Sequence, residues 1–468
     1  MSQETELFFR GPDFDFEFAV SDALIFNLYS YRILVFKVDG LQGHIRATEA
    51  LQKGLQNLVK RCPPLGGKVV FIKSKPGEQQ GWKKALPSTG IKLVVRDLRS
   101  QLNYSQLEAK DFPPSAFKCD QVVPISPAPI LEGEAPGSVF QFTWIEGGAL
   151  LTVGIDHPIA DGNAMNTLMG LLAEECRRAQ VPSLATNETV SEEAQVLGID
   201  RTPVRSLESK TKANPEDHLA YTFLPEPPGH HEESHGKEPE IDLYMFTITS
   251  EKLVELKEAA MDGGHISTHD AICALTWRSS MLARYHAGTI KDLDTTVSLN
   301  LPTNCREFME LDRNYVGNAV YFIQCKMPLR ELLQLDSLPT IAKMIRAQLE
   351  ARNHELIAGF HSLVKSLPNL SQMTFGWIPD ITTTAFCLGS SWKADQMYGS
   401  NWGDVFGPVR RFRSPDVGFF GVFKGFTFIC PPIPGTGAAE FQTWLEPAGW
   451  EILQKDELFQ KYCTRIGV

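Results

Sequence analysis

Apolar and polar positions alternate along the chain in a mixture of two periods. Arg32 to Val38 (RILVFKV) is a run of branched and aromatic residues and predicts a strand. Ala47 to Lys60 changes to helical spacing, and Pro63-Pro64 stops it. Lys68 to Lys73 predicts another strand. Ser138 to Trp144 and Ala149 to Ile155 flank Gly147-Gly148, the signature of a hairpin with a glycine turn. From Asn163 to Gln180, Met165, Leu168, Met169, Leu172 and Cys176 fall on one helical face. Beyond about Thr186 the pattern dissolves into prolines and mixed charges, ending in GHHEESHGKEPE, which predicts a long surface connection to Glu240. Periodicity then resumes: a strand at Ile241 to Ile248, a helix near Thr268 to Tyr285 and a strand at Asp294 to Leu301. A loosely alternating stretch at Asn318 to Gln324 precedes a helix at Thr340 to His354. Val417 to Cys430 and Ala438 to Leu445 flank a Pro/Gly turn, and a last helix runs from about Ala448 to Tyr462.

The fold class is therefore mixed, α/β or α+β. At 468 residues the chain exceeds what one core usually supports. The patterning divides it into residues 1–190, a connecting segment 191–240, and residues 241–468. Composition narrows the function. A net charge of −11 argues against a nucleic-acid or polybasic membrane surface. Nine scattered cysteines, never in a CxxC pair, fit a reducing compartment and no zinc site. His230, His231 and His235 lie in the charged connection without an ordered set of ligands, so no metal is expected. No apolar run is long enough to cross a membrane and the N-terminus has no secretory pattern, so a cytoplasmic protein is expected.

Candidate chemistry concentrates in GIDHPIADG. His157 falls in the turn between a predicted strand and helix, where scaffolds present reactive groups. An imidazole there can take a proton from a hydroxyl as it attacks a carbonyl. Asp161, four residues on, can hold the loop, and Gly162 lets a ligand approach the backbone. The motif alone is weak, since roughly half an HxxxD is expected by chance among eleven histidines. Asp161 or Asn163 capping the next helix explains it equally well. Cys305, beside Arg306, is the best candidate for a nucleophilic thiol instead.

Further blocks give the motif a context. They are RCPPLGGKV (Arg61 to Val69), WIEGGALLTVGIDHPIADG (Trp144 to Gly162) and ISTHDAICALTWRSSMLAR (Ile266 to Arg284). LPTNCREFMELDRNYVGNAV (Leu301 to Val320), SSW (Ser390 to Trp392) and YGSNWGDVFGPVRRFR (Tyr398 to Arg413) follow. In this order they resemble the CoA-dependent acyltransferases called BAHD, closest to their fungal secondary-metabolism branch. The resemblance implies two chloramphenicol-acetyltransferase-like domains with a tunnel between them. Acyl-CoA, as co-substrate and not a resident cofactor, enters from one face and a small hydroxyl or amine acceptor from the other. It implies His157 as general base, Asp161 fixing the loop, and Ser390 supporting the tetrahedral oxyanion. Ser267 and Thr268 then open a helix near the CoA arm, a helix start that also suits a phosphate or amide oxygen. Gly403 keeps the family spacing of the late motif, but Asn401 stands where the family has Asp. In relatives that Asp pairs with an arginine, here Arg306, so the departure puts that ion pair in doubt, and Asp404, three residues on, is the acid expected to serve Arg306 instead, at a site remote from the chemistry. The expected enzyme is a monomeric O-acetyltransferase acting on a natural-product hydroxyl, without metal, nucleic acid or membrane. A condensation-type enzyme using a carrier-protein thioester, and a non-catalytic scaffold of the same fold, are the other readings.

Overall fold

The computed structural model describes residues 4–125, 133–181, 198–228, 241–390, 394–416 and 426–467; the side chains of residues 390 and 395 are outside the description. The three histidines 230, 231 and 235 lie outside the described residues. Two large sheets organise the rest. The first orders its strands Glu4–Phe9, Ile91–Asp97, Ser138–Ile145, Gly148–Asp156, Tyr29–Phe36 and Arg411–Arg413. The second runs Val320–Pro328, Thr296–Asn304, Ala385–Ser390, Thr427–Ile429, Ala439–Leu445, Asp242–Ile248 and Thr464–Arg465.

The hairpin read from Gly147-Gly148 forms as Ser138–Ile145 and Gly148–Asp156, with Gly147 at φ +72° supplying the left-handed turn. Two helices, Gly40–Arg61 and Gly162–Ala179, cover this sheet. Leu51, Leu55 and Leu58 of one are buried in the same core as Leu168, Leu172 and Cys176 of the other. They cross in close contact at Gly54, where a Cβ would lie 2.6 Å from Cys176 Sγ. The second sheet packs on Thr268–His286, a helix buried on nearly all sides.

Two stretches differ from the sequence reading. Residues 198–228 are no plain surface connection. Val204, Leu207, Ala220 and Tyr221 are buried, and Tyr221–Phe223 pairs with Met373–Phe375. Four apolar anchors among many charges were too sparse to register as periodicity. The late motif, in the C-terminal half by sequence, joins the first core. Arg411–Arg413 pairs antiparallel with Ile33 to Val35. Trp402 and Phe406 each set their rings 5.2 Å from that of Phe36.

Candidate active site

The strand Gly148–Asp156 delivers His157 to the junction of the two sheets. Asp161 then caps the helix Gly162–Ala179, its Oδ1 accepting from Ala164 N–H at 2.8 Å. That much the capping alternative foresaw. The same carboxylate also takes a bidentate pair from Arg306, Nη1 to Oδ2 and Nη2 to Oδ1, both at 2.9 Å, with both side chains about 3% exposed or less. Its Oδ2 further accepts from Ala319 N–H at 3.0 Å. Burial alone would push the Asp161 carboxyl up, but Arg306 outweighs it and holds the group below the ordinary carboxylate value.

This corrects the expected partner of Arg306. Asn401 is exposed, and its Oδ1 accepts from Gly403 N–H at 2.9 Å within its own loop. Arg306 has its carboxylate after all, in the HxxxD motif itself. Asn401 therefore leaves no charge unpaired.

The loop from His157 to Asp161 is clamped at further points that sequence reasoning left without a role. Asn318 Nδ2 donates to His157 O at 2.9 Å and Pro158 O at 3.1 Å. Asp22 accepts from Asn318 N–H at 2.9 Å and from Arg201 Nε at 2.7 Å. Arg201 Nη2 reaches Ile159 O at 3.3 Å. A Cβ on Gly317 would stand 2.6 Å from Arg201 Cζ, so the Gly-Asn of Tyr-x-Gly-Asn serves this clamp directly. Asn318 was within reach from that motif. Asp22 and Arg201 carried no comparable local signal.

His157 forms part of the wall of a cavity of about 640 Å³ between the sheets. Its backbone N–H donates to Leu28 O at 2.9 Å. Burial pushes the imidazole below its ordinary value of 6.5; the nearby Arg32 adds to this, and Asp161 opposes it. The ring is therefore neutral, and able to accept a proton, at neutral pH. Preceding it, Asp156 is fully buried, and burial raises its carboxyl well above the ordinary value.

The cavity lining combines two kinds of group. Phe322, Phe375, Trp377, Phe426 and Trp444 are aromatic. Ser267, Asp270, Asn304, Arg346 and Arg352 are polar or charged. Gly162 lines the cavity too, and a Cβ there would meet no atom within 4 Å. Ser267 caps the helix Thr268–His286 in a reciprocal box with Asp270. Its hydroxyl also accepts from Arg346 Nη2 at 3.0 Å, so this helix start is already occupied by the protein's own groups. Thr268 opens that helix but is not among the lining residues. Ser390 ends the strand Ala385–Ser390 beside lining residue Gly389. Cys305 is buried and its thiol pushed up by that burial, the reverse of an activated nucleophile.

Comparison with known proteins agrees with this architecture. Residues 28–176 match the family model of the trichothecene 3-O-acetyltransferase-like N-terminal domain. Trichothecene 3-O-acetyltransferase of Fusarium sporotrichioides is 25% identical over 95% of each chain. A crystal structure of the F. sporotrichioides protein, complexed with coenzyme A and T-2, superposes with a TM-score of 0.80 at 23% identity, covering 97% of this chain and 100% of that one. Vinorine synthase shares the fold with a TM-score of 0.62 at 15% identity, covering 97% of this chain and 96% of that one. The enoyl-CoA isomerase/hydratase claC of Penicillium crustosum is 28% identical over 97% of this chain, which spans about half (51%) of claC's length.

Fold and relatives together liken the chain to the BAHD-type acyltransferases. Among them it is similar to trichothecene 3-O-acetyltransferase-like fungal proteins and to O-acetyltransferases such as pboB of Aspergillus ustus, 24% identical over 94% of this chain and 95% of that one.

Proposed function

We propose that this protein acetylates a hydroxyl of a small natural product, taking the acetyl group from acetyl-CoA with His157 as general base. The observation that carries this reading is a neutral imidazole in the wall of the cavity between the sheets, its loop fastened by Asp161, Asn318 and Arg201. Arg346 and Arg352 in the lining suit the anionic coenzyme, and the aromatic lining residues suit an apolar acceptor. Structural relatives crystallised with coenzyme A together with T-2 or deoxynivalenol support a coenzyme and a small-molecule acceptor as the two ligands.

In the reaction, His157 removes the acceptor's O–H proton as the oxygen attacks the thioester carbonyl carbon. The tetrahedral oxyanion takes hydrogen bonds from backbone N–H groups and from Ser390. Its collapse breaks the C–S bond, and the CoA thiolate recovers the proton from His157. Gly162 and Ser267 border the coenzyme and Thr268 supports that border. The enzyme in this reading is monomeric and cytoplasmic; among the described residues no helix is long and apolar enough to cross a membrane.

The test is an acceptor screen with acetyl-CoA, following thiol release and product mass. His157→Ala is expected to lower kcat by about 10²–10⁴ with acyl-CoA affinity within a few-fold. Turnover near wild type in that variant would refute the assignment. Ser390→Ala is expected to lower kcat at least about tenfold; a change confined to KM would reassign it to positioning.

A further inference from the structure

The cavity wall holds one cation that the proposed reaction does not use. Arg32 lies on the strand Tyr29–Phe36, two residues from Ser30 and four from Leu28. Side chains two apart share a strand face, and all three line the cavity. Leu28 is the residue whose carbonyl accepts from the backbone N–H of His157, so this row starts beside the residue that carries the base.

The Arg32 side chain is only 9% exposed, yet it has no carboxylate partner among the described residues. Its Nη1 donates to Tyr31 O at 2.8 Å, and its Nε is buried with no acceptor. Its guanidinium carbon sits 4.8 Å from the Phe428 ring centroid and 5.7 Å from that of Phe412. Those rings fix the plane of the fork and satisfy none of its hydrogen bonds. Of the other deeply buried arginines, Arg306, Arg201, Arg413 and Arg278 each hold a carboxylate, and Arg284, which is not among the cavity-lining residues, donates to the carbonyls of Thr383 and Ala385. Burial lowers Arg32 only to about 10, so it stays charged at neutral pH. A charge removed from water without a counter-ion is unfavourable unless something that comes and goes supplies one. Arg346 and Arg352, the cations suited to the coenzyme, lie instead around Ser267 and Asn304.

We propose that Arg32 recognises a carboxylate on the acceptor, so that the preferred substrate is a hydroxy acid with an apolar, aromatic-compatible body. The planar fork, unpaired at Nε and held flat by Phe428, suits two parallel bonds to a carboxylate. This rests on the acyltransfer reading for the word acceptor, but the binding itself can be measured without turnover.

The experiment titrates the full chain calorimetrically with 2-naphthoate and with methyl 2-naphthoate, which differ in the charge and share the ring. The carboxylate is expected to bind at least about tenfold more tightly than the ester. Arg32→Met is expected to abolish that preference, Arg32→Lys to keep part of it, and His157→Ala to leave it intact. Arg32→Met should also melt no lower than wild type, because it removes an uncompensated buried charge; an arginine serving only the fold would lower the melting temperature. Equal binding of acid and ester, binding of neither up to millimolar concentration, or a preference that survives in Arg32→Met would each overturn the assignment. So would an Arg32→Met enzyme that loses turnover with malonyl-CoA but keeps the acid-to-ester ratio, since the cation would then read the donor. Should the preference hold while no acceptor in the screen releases CoA thiol, the carboxylate site stands and the acetyl-transfer reading falls.

Discussion

Asp161 and Arg306 form a pair sealed from water, and such pairs respond to single substitutions asymmetrically. Removing one partner strands the other charge in a low-dielectric interior, at about 3–5 kcal/mol. Asp161→Asn keeps the size and one acceptor for the Ala164 N–H cap, but forfeits the bidentate pair. It should lose about that much stability in urea titration together with turnover; an unchanged midpoint and rate would reduce Asp161 to a helix cap. Asn401→Asp is the contrasting case. Either side chain can accept from Gly403 N–H, the position is exposed, and Arg306 is engaged elsewhere. Stability should stay within about 0.5 kcal/mol and kcat within about threefold. His157 adds a pH signature. Because its folded value lies below 6.5, the acid limb of kcat/KM should fall below that pH. Replacing Arg32 with methionine removes a nearby cation that disfavours imidazolium, so the limb should move upward; a limb that stays put would place Arg32's charge out of reach of the base.

Secondary structure shows where reading the sequence worked. The hairpin at Ser138–Asp156 and the helix from Gly162 were legible because their periods are strong and their turn and cap residues stand at the right offsets. The helix expected to start at Ala47 begins at Gly40 instead. GLQGHIR has poor intrinsic propensity, and tertiary contact overrides it: His44 Nε2 bonds Gly148 O at 2.7 Å and its ring stacks on Trp144. The single closing helix is two, Pro447–Leu453 and Glu457–Tyr462, because Asp456 turns out to be an N-cap. Asp456 also pairs with Arg278, a contact between residues too far apart for periodicity to register. The same limit explains the candidate site. His157 and Asp161 stand within one motif, whereas the ion pair of Arg306 and the clamp of Asp22 and Arg201 exist only after the two sheets meet. Gly162 offers a test at this scale. An alanine methyl there meets no protein atom, so it should raise KM for acyl-CoA several-fold while the melting temperature moves by less than about 2 °C. A drop in stability with unchanged KM would show that the helix, and not the ligand, needs the glycine.

For the whole molecule, buried histidines tie stability to pH. His361 is held neutral by burial, its value lowered to about 3, and His218 likewise to about 4. Unfolding frees each to take a proton below its ordinary value of 6.5. Their contribution to stability is thus complete above pH 6.5 and declines as pH falls toward the folded values. One unit below 6.5 each costs about 1.4 kcal/mol. Urea unfolding at pH 7.5 and pH 5.5 should therefore separate wild type from His361→Leu, the variant losing less on acidification by about that amount. Equal losses would mean that His361 is protonated in the fold.

The return of Arg411–Arg413 to the first sheet also sets a timetable for biosynthesis. The flank of Tyr29–Phe36 that it completes leaves the ribosome early, and its partner emerges only near the end of translation. At about 5–20 residues per second, that side of an apolar strand stays bare for on the order of tens of seconds. A bare strand edge pairs with whatever other edge is near. Nascent chains of this protein thus pass through a long sticky stage that chaperones must cover, and a message truncated before Arg411 yields insoluble polypeptide instead of an inactive soluble half.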